Sequence, residues 1–270
     1  MQDRNRSCEP ALDEQIAVID AAKCLTRSQS VLQRRFHVRH MPSSSFLLVC
    51  FISLLVRTAP ADRPAESSVA PLFGLAGECV LQADLASAKL DEAWHNIKGS
   101  WEVKDGTLYG LQLPEQNHAA VLRHELAIHD FIAEFQFKFD SGKAIKLVIN
   151  KDTVHIATVA IWPGELTVDK QPERNSGKQI QRLDSQKVHL STDEWHTAVI
   201  EVIGDTIVSV VDQRLCVFGS DAGLDIDKTD FDFAANGSTM LKAIKFLKAT
   251  PPADVEAAKG KLRAFREANK

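Results

Sequence analysis

The chain has 270 residues, 32 Lys and Arg against 36 Asp and Glu, and a formal charge of −4. With 44% hydrophobic and 25% charged residues it has the composition of a folded globular protein, which excludes a disordered tail, a collagen-like fibre, a disulfide-dense miniprotein and a polytopic membrane protein. It lacks the basic excess that a phosphate-binding surface needs, so nucleic acid is not an expected partner.

Residues 46–56 (FLLVCFISLLV) form the one strongly apolar run. It is 11 residues long, whereas a membrane-spanning helix needs roughly 20. Arg34, Arg35, Arg39 and His40 precede it, and Ala59-Pro60-Ala61 follows as a small-residue site. A positive flank, a short apolar core and a small-residue site predict a secretory signal peptide over residues 41–61. Residues 1–40 read as a mis-set start ahead of Met41, or as a long n-region. Arg34-Arg35 makes a poor twin-arginine signal because Phe36 follows directly, and Cys50 a poor lipidation site because bulky Val49 precedes it. The expected mature chain is secreted, periplasmic or in the cell envelope, carries a charge of −7 and keeps no integral membrane segment. Cys79 and Cys216 remain in it. An oxidising compartment allows a disulfide between them, and two buried free thiols are the alternative.

Residues 62–72 (DRPAESSVAPL) form a Pro, Ser and Ala-rich spacer, too poor in apolar surface to order itself. Beyond it, period-two alternation dominates. Phe131, Ala133, Phe135, Phe137 and Phe139 fall on one face and Glu134, Gln136, Lys138 and Asp140 on the other, the pattern of a half-buried strand. Similar runs occur at 144–150, 154–161, 197–203, 206–212, 229–235 and 239–248. Asp105-Gly106 and Asn236-Gly237 suit tight hairpins that require positive φ, and Gly204-Asp205 suits a turn with Gly first. Many short strands without alternating helices predict an all-β fold, an antiparallel sandwich or jelly roll, over residues 73–249. Residues 250–270 differ: Val255, Ala258, Leu262 and Phe265 recur at helical spacing, with Glu256 early and basic residues late. They predict a terminal amphipathic helix packed on the sandwich.

Two segments carry a family likeness. Residues 99–110 (GSWEVKDGTLYG) resemble the W-x-V-x-D-G-x-L-x-G hairpin of the 3-keto-disaccharide hydrolase family, long labelled a domain of unknown function. Asp193-Glu194-Trp195-His196-Thr197, followed by Val199, Glu201 and Gly204-Asp205, resembles that family's W-H/N-x strand and the hairpin after it. The resemblance implies a concanavalin A-like lectin/glucanase jelly roll and a glycan ligand. It also exposes a departure. Where members carry a Tyr-Glu-x-Gln strand, this chain has His155-Ile156-Ala157-Thr158-Val159-Ala160. The carboxylate of that catalytic strand is missing.

No other catalytic pattern replaces it. Glu165, Asp169 and Glu173 are the nearest carboxylates, but Glu165 and Asp169 on one strand would stand roughly 13 Å apart, too far for a hydrolytic pair. Residues 219–223 (GSDAG) have Asp where a nucleophile elbow needs Ser. Gly177-Lys178 lacks the upstream Gly and following Ser or Thr of a phosphate loop. His118, His124 and His129 lack the spacing of a zinc helix and read as satisfied or exposed histidines. Asp221, Asp225, Asp227, Asp230 and Asp232 read as a solvated acidic turn, without the glycine of a calcium-binding EF-hand loop. No cofactor and no metal site is expected. Among the tryptophans, Trp101 and Trp195 sit in strand patterns and are expected in the core. Trp162 precedes Pro163-Gly164, so a turn can present its ring as a platform for the apolar face of a sugar. The expected ligand-binding residues are Trp162, His155, Glu165 and Asp169. The expected function is a secreted, non-catalytic carbohydrate-recognition or scaffold domain. An active glycoside hydrolase of the 3-keto-disaccharide type and a structural envelope protein are the alternatives.

Overall fold

A computed structural model of the protein describes residues 70–87, 89–174 and 176–269. The expected signal peptide, the segment ahead of it and the spacer as far as residue 69 lie outside the described residues. In chain order the strands are β1 (Leu75–Gln82), β2 (Trp94–Lys98), β3 (Ser100–Lys104), β4 (Thr107–Leu111), β5 (Ala120–Ile128), β6 (Phe131–Lys138), β7 (Ala144–Lys151) and β8 (Val154–Ile161). They continue with β9 (Glu165–Lys170), β10 (Gln181–Lys187), β11 (His196–Ile203), β12 (Thr206–Val211), β13 (Leu215–Ser220), β14 (Lys228–Asn236) and β15 (Ser238–Thr250), and helix α1 (Val255–Ala268) ends the chain.

All pairings are antiparallel and form two sheets. The first runs β13-β12-β11-β6-β15-β4-β3, with β1 beside β15; the second runs β10-β9-β8-β7-β14-β5-β2. The two pack as a β-sandwich of jelly-roll type. The phenylalanine ladder of β6 supplies much of its core. Phe131, Phe135, Phe137 and Phe139 are buried, and across the layers Phe131 meets Phe231 at 4.9 Å and Phe135 meets Phe233 at 5.2 Å, both edge to face. Each such burial stabilises by roughly 1.5–3 kcal/mol from desolvation, with a further ~0.5–1.5 kcal/mol per aromatic pair from ring geometry.

Turn chemistry follows the sequence at some corners and departs at others. Asp105 and Gly106 both take positive φ, at 50° and 71°, as a tight hairpin with right-handed strand twist requires. The β7–β8 hairpin reaches the same conformation without glycine, at Asp152 and Thr153, and the β12–β13 hairpin does so at Asp212 and Gln213. Those two turns carry no sequence signal of the usual kind.

The first sheet is covered on its outer side. Asp254 caps α1 by accepting a hydrogen bond from the Ala257 amide (2.9 Å). Ala258 and Leu262 then pack with Phe73, Ile203, Val208, Val210 and Cys216. This double-sided burial explains why β12, TIVSVV, is buried at every position. Beside this cluster the buried carboxylate of Glu201 accepts hydrogen bonds from the amides of Leu72 (2.7 Å), Phe73 (3.1 Å) and Gly74 (2.7 Å). Desolvation raises the Glu201 pKa, and the three donors act against it. The chain is therefore held from Leu72, inside the segment expected to be a free spacer.

Cys79 and Cys216 do not form the disulfide that the sequence left open; both are free thiols. Cys79 lies on β1, paired with β15, and Cys216 on β13, so β12, β11, β6 and β15 stand between them. Five strand spacings, about 24 Å, exceed any disulfide reach. Cys79 is exposed, and Cys216 is buried with its pKa pushed up to about 12 by desolvation. Trp195 also departs from expectation: it is 37% exposed just ahead of β11, with Lys242 Nζ 3.9 Å from its ring centroid. Trp101 packs against the core. Among the described residues no helix is long and apolar enough to cross a membrane.

Candidate functional site

Among the described residues no α-helix lies over the outer face of the second sheet. That face forms a groove of about 720 Å³ that reaches from Ile97 and Lys98 on β2 to Arg182 on β10, a volume within the range of small-ligand sites. Its floor is recessed. Val148, Ala160, Thr167, Asp232 and Ala234 point away from the core, yet all are buried.

Strand register builds one continuous row across this floor. Arg123 of β5 lies opposite Asp232 of β14, Asp232 opposite Val148 of β7, Val148 opposite Thr158 of β8, Thr158 opposite Asp169 of β9, and Asp169 opposite Arg182 of β10. Each end of the row is an Arg–Asp pair with the carboxylate on the inner side. Asp232 and Asp169 are three strand spacings apart, about 14 Å. Their backbones stand farther apart than the carboxyl groups of either retaining or inverting glycosidases.

Both carboxylates are neutralised in place. Arg123 donates from Nε to Asp232 Oδ1 (2.7 Å) and from Nη2 to Oδ2 (2.9 Å), a bidentate pair. Its Nε also lies 3.0 Å from Asp230 Oδ1. The hydrogen bond to Asp232 is the largest influence holding the Arg123 guanidinium protonated. At the other end Arg182 Nε bonds Asp169 Oδ1, and Arg182 Nη1 lies 3.7 Å from Glu165 Oε1.

A second chain of hydrogen bonds fixes His155. Asn150 Nδ2 donates to Asp230 Oδ1 (2.8 Å), and the Asn150 carbonyl oxygen stands 2.7 Å from His155 Nδ1. An ionised Asp230 only accepts, so the Asn150 amide must face it and Asn150 Oδ1 must accept from His155. That places a proton on His155 Nδ1, so that in the neutral imidazole Nε2 is the acceptor.

Of the four residues expected to bind ligand, Trp162, His155 and Asp169 line the groove. Glu165 stands at its β9–β10 edge, outside the lining, 3.7 Å from Arg182 Nη1. The sequence reading missed Arg123, Asp232, Asp230, Asn150, Arg182 and Lys146. It placed Asp230 and Asp232 in a solvated turn with Asp221, Asp225 and Asp227. Instead they are buried, on one face of β14, because a strand of alternating Asp, Phe, Asp, Phe puts its carboxylates opposite its core rings. Asp221 caps a short 3-10 turn by accepting from the Gly223 amide (2.8 Å). The alternation in KTDFDFAAN was the available signal. His124 is a further departure: it is buried 4.5 Å from the Trp94 ring with Nδ1 unpartnered, and desolvation pushes its pKa down.

Comparison with known proteins places this architecture. The profile of the 3-keto-alpha-glucoside-1,2-lyase-like domain matches residues 85–243, more than half of the chain. The chain belongs to that family. Strand β8 turns His155, Thr158 and Ala160 toward the groove. Similar solved structures include the carbohydrate-binding module CBM66 from Bacillus subtilis, at 12% identity over 58% of this chain and 96% of that one, with a TM-score of 0.49. They also include the Crh5 transglycosylase, at 13% over 68% and 89% with a TM-score of 0.49. Porphyranase B from Zobellia galactanivorans gives 10% over 67% and 100%, again at 0.49. No curated protein sequence matches.

Proposed function

We propose that the protein is a secreted carbohydrate-recognition domain that holds a glycan in the groove of the second sheet without cleaving it. The row from Arg123 to Arg182 carries this reading: its two aspartates stand on strands about 14 Å apart, and each is locked by a guanidinium. Neither is disposed to shuttle a proton across a glycosidic bond. They offer fixed acceptors, the arginines offer donors, and Trp162 offers an apolar flank, the combination that a pyranose with its C–H face and polar edges needs. The fold family and the apolar run at 46–56 support the reading and the secreted location.

A lyase or hydrolase is the second reading, favoured by family membership. It would use His155, whose Nε2 is left as an acceptor over the groove. Incubation with a glycan array followed by product analysis separates the two: retention without released sugar supports recognition, and released sugar establishes the enzyme. Trp162→Ala is expected to abolish retention while changing stability by no more than about 0.5 kcal/mol. Unfolding of that variant would instead make Trp162 a packing residue.

A further inference from the structure

We propose that the glycan is acidic, and that its carboxylate or sulfate ester sits at Lys146 with the sugar ring beside Trp162. The inference rests on the carbohydrate reading and adds the charge of the ligand.

Lys146 lies on β7, the middle strand of the second sheet, and its ammonium projects into the groove. Register puts Ala234 of β14 on one side of it and Ala160 of β8 on the other. Neither neighbour can hydrogen-bond an ammonium or compete with a ligand for it. Lys146 forms no ion pair among the described residues; its one polar contact is with the Trp162 ring, 5.3 Å from Nζ to the centroid. Such a contact stabilises by about 0.5–1 kcal/mol at a partly open site. A charge-assisted hydrogen bond to an anion is worth roughly 1.5–3 kcal/mol, so an acidic group displaces nothing that outweighs it.

The rest of the groove points the same way. Its carboxylates, Asp232 and Asp169, are taken by Arg123 and Arg182. Lys146 is then left as an uncompensated cation in a chain whose overall charge is negative. A neutral ligand would leave that charge partly desolvated and unpaired under the bound sugar, which is unfavourable. An anion beside an indole ring answers both features at once.

The test uses the purified protein and matched trisaccharides: trigalacturonate, its neutral methyl ester and a sulfated galactan fragment. Calorimetric titration at low salt is expected to show trigalacturonate or the sulfated fragment binding at least about tenfold more tightly than the ester, which corresponds to one charged hydrogen bond. The advantage should shrink as salt rises, vanish in Lys146→Gln, and return in Lys146→Arg, which retains the charge. Preference for one acid over the other identifies the anion. Equal binding of ester and acids overturns the acidic ligand, and a preference that survives Lys146→Gln in a folded variant overturns Lys146 as the seat of the anion; both leave carbohydrate recognition standing. If the glycan array and all three trisaccharides are ignored, the carbohydrate reading itself falls.

Discussion

The two outer faces of the sandwich solve the same problem in opposite ways. On the first sheet, Val208, Val210 and Ile203 are covered by Ala258 and Leu262 of α1 and by Phe73, and the buried carboxylate of Glu201 is held by three backbone amides. On the second sheet the corresponding face is polar, recessed and open, and its charges are held by one another. Covering a face stabilises the fold by desolvation. Leaving one open costs that stabilisation and keeps donors and acceptors available to a ligand. A single domain therefore has one face closed for stability and, in the proposed reading, one face left open for binding.

Three changes test the division, beginning with the largest effect. Arg123→Ala leaves Asp230 and Asp232 buried without their cation, and should destabilise the protein by roughly 3–5 kcal/mol in urea unfolding. A loss below about 1 kcal/mol would show that the open face is not held together by its charges. Leu262→Ala, on the covered face, should cost about 2–4 kcal/mol through lost burial and a residual cavity. It should leave ligand binding in the groove unchanged, and a weakening there would show that the faces are coupled.

The smallest effect is a slope with pH. Folding raises the pKa of Glu201, so through the window from its ordinary carboxylate value up to the raised one the native state binds more protons than the unfolded chain. Stability must fall as pH rises through that window. The fall should be absent in Glu201→Gln, which keeps a carbonyl acceptor for the amides at residues 72–74. An identical pH profile in the two proteins would remove Glu201 as its source.

Much of the fold was legible from local pattern. The ladder starting at Phe131, the runs at 144–150, 154–161 and 206–212, and the terminal helix all appear close to their expected limits. Each is a periodicity of two or 3.6 enforced by one buried face. Strands β1, β2, β5, β9, β10 and β13 were not among the expected runs. β1, β2 and β10 are mostly exposed or half-buried strands without a clean alternation, and β13 is a short apolar run that periodicity cannot classify. The site was half legible. A tryptophan before Pro-Gly could be singled out from neighbouring residues alone, and His155 and Asp169 line the same groove farther along the β8–β9 hairpin that it closes.

The sequence by itself determined the architecture, because alternation and turn chemistry act over a few residues and need no partner to be read. Only the tertiary structure decided that Arg123 faces Asp232, 109 positions away along the chain, that Lys146 stands between two alanines, and that Cys79 and Cys216 lie on distant strands. Those facts depend on register between strands remote in sequence. Register is set by how the two layers close over the shared core, a condition that no local stretch of residues contains.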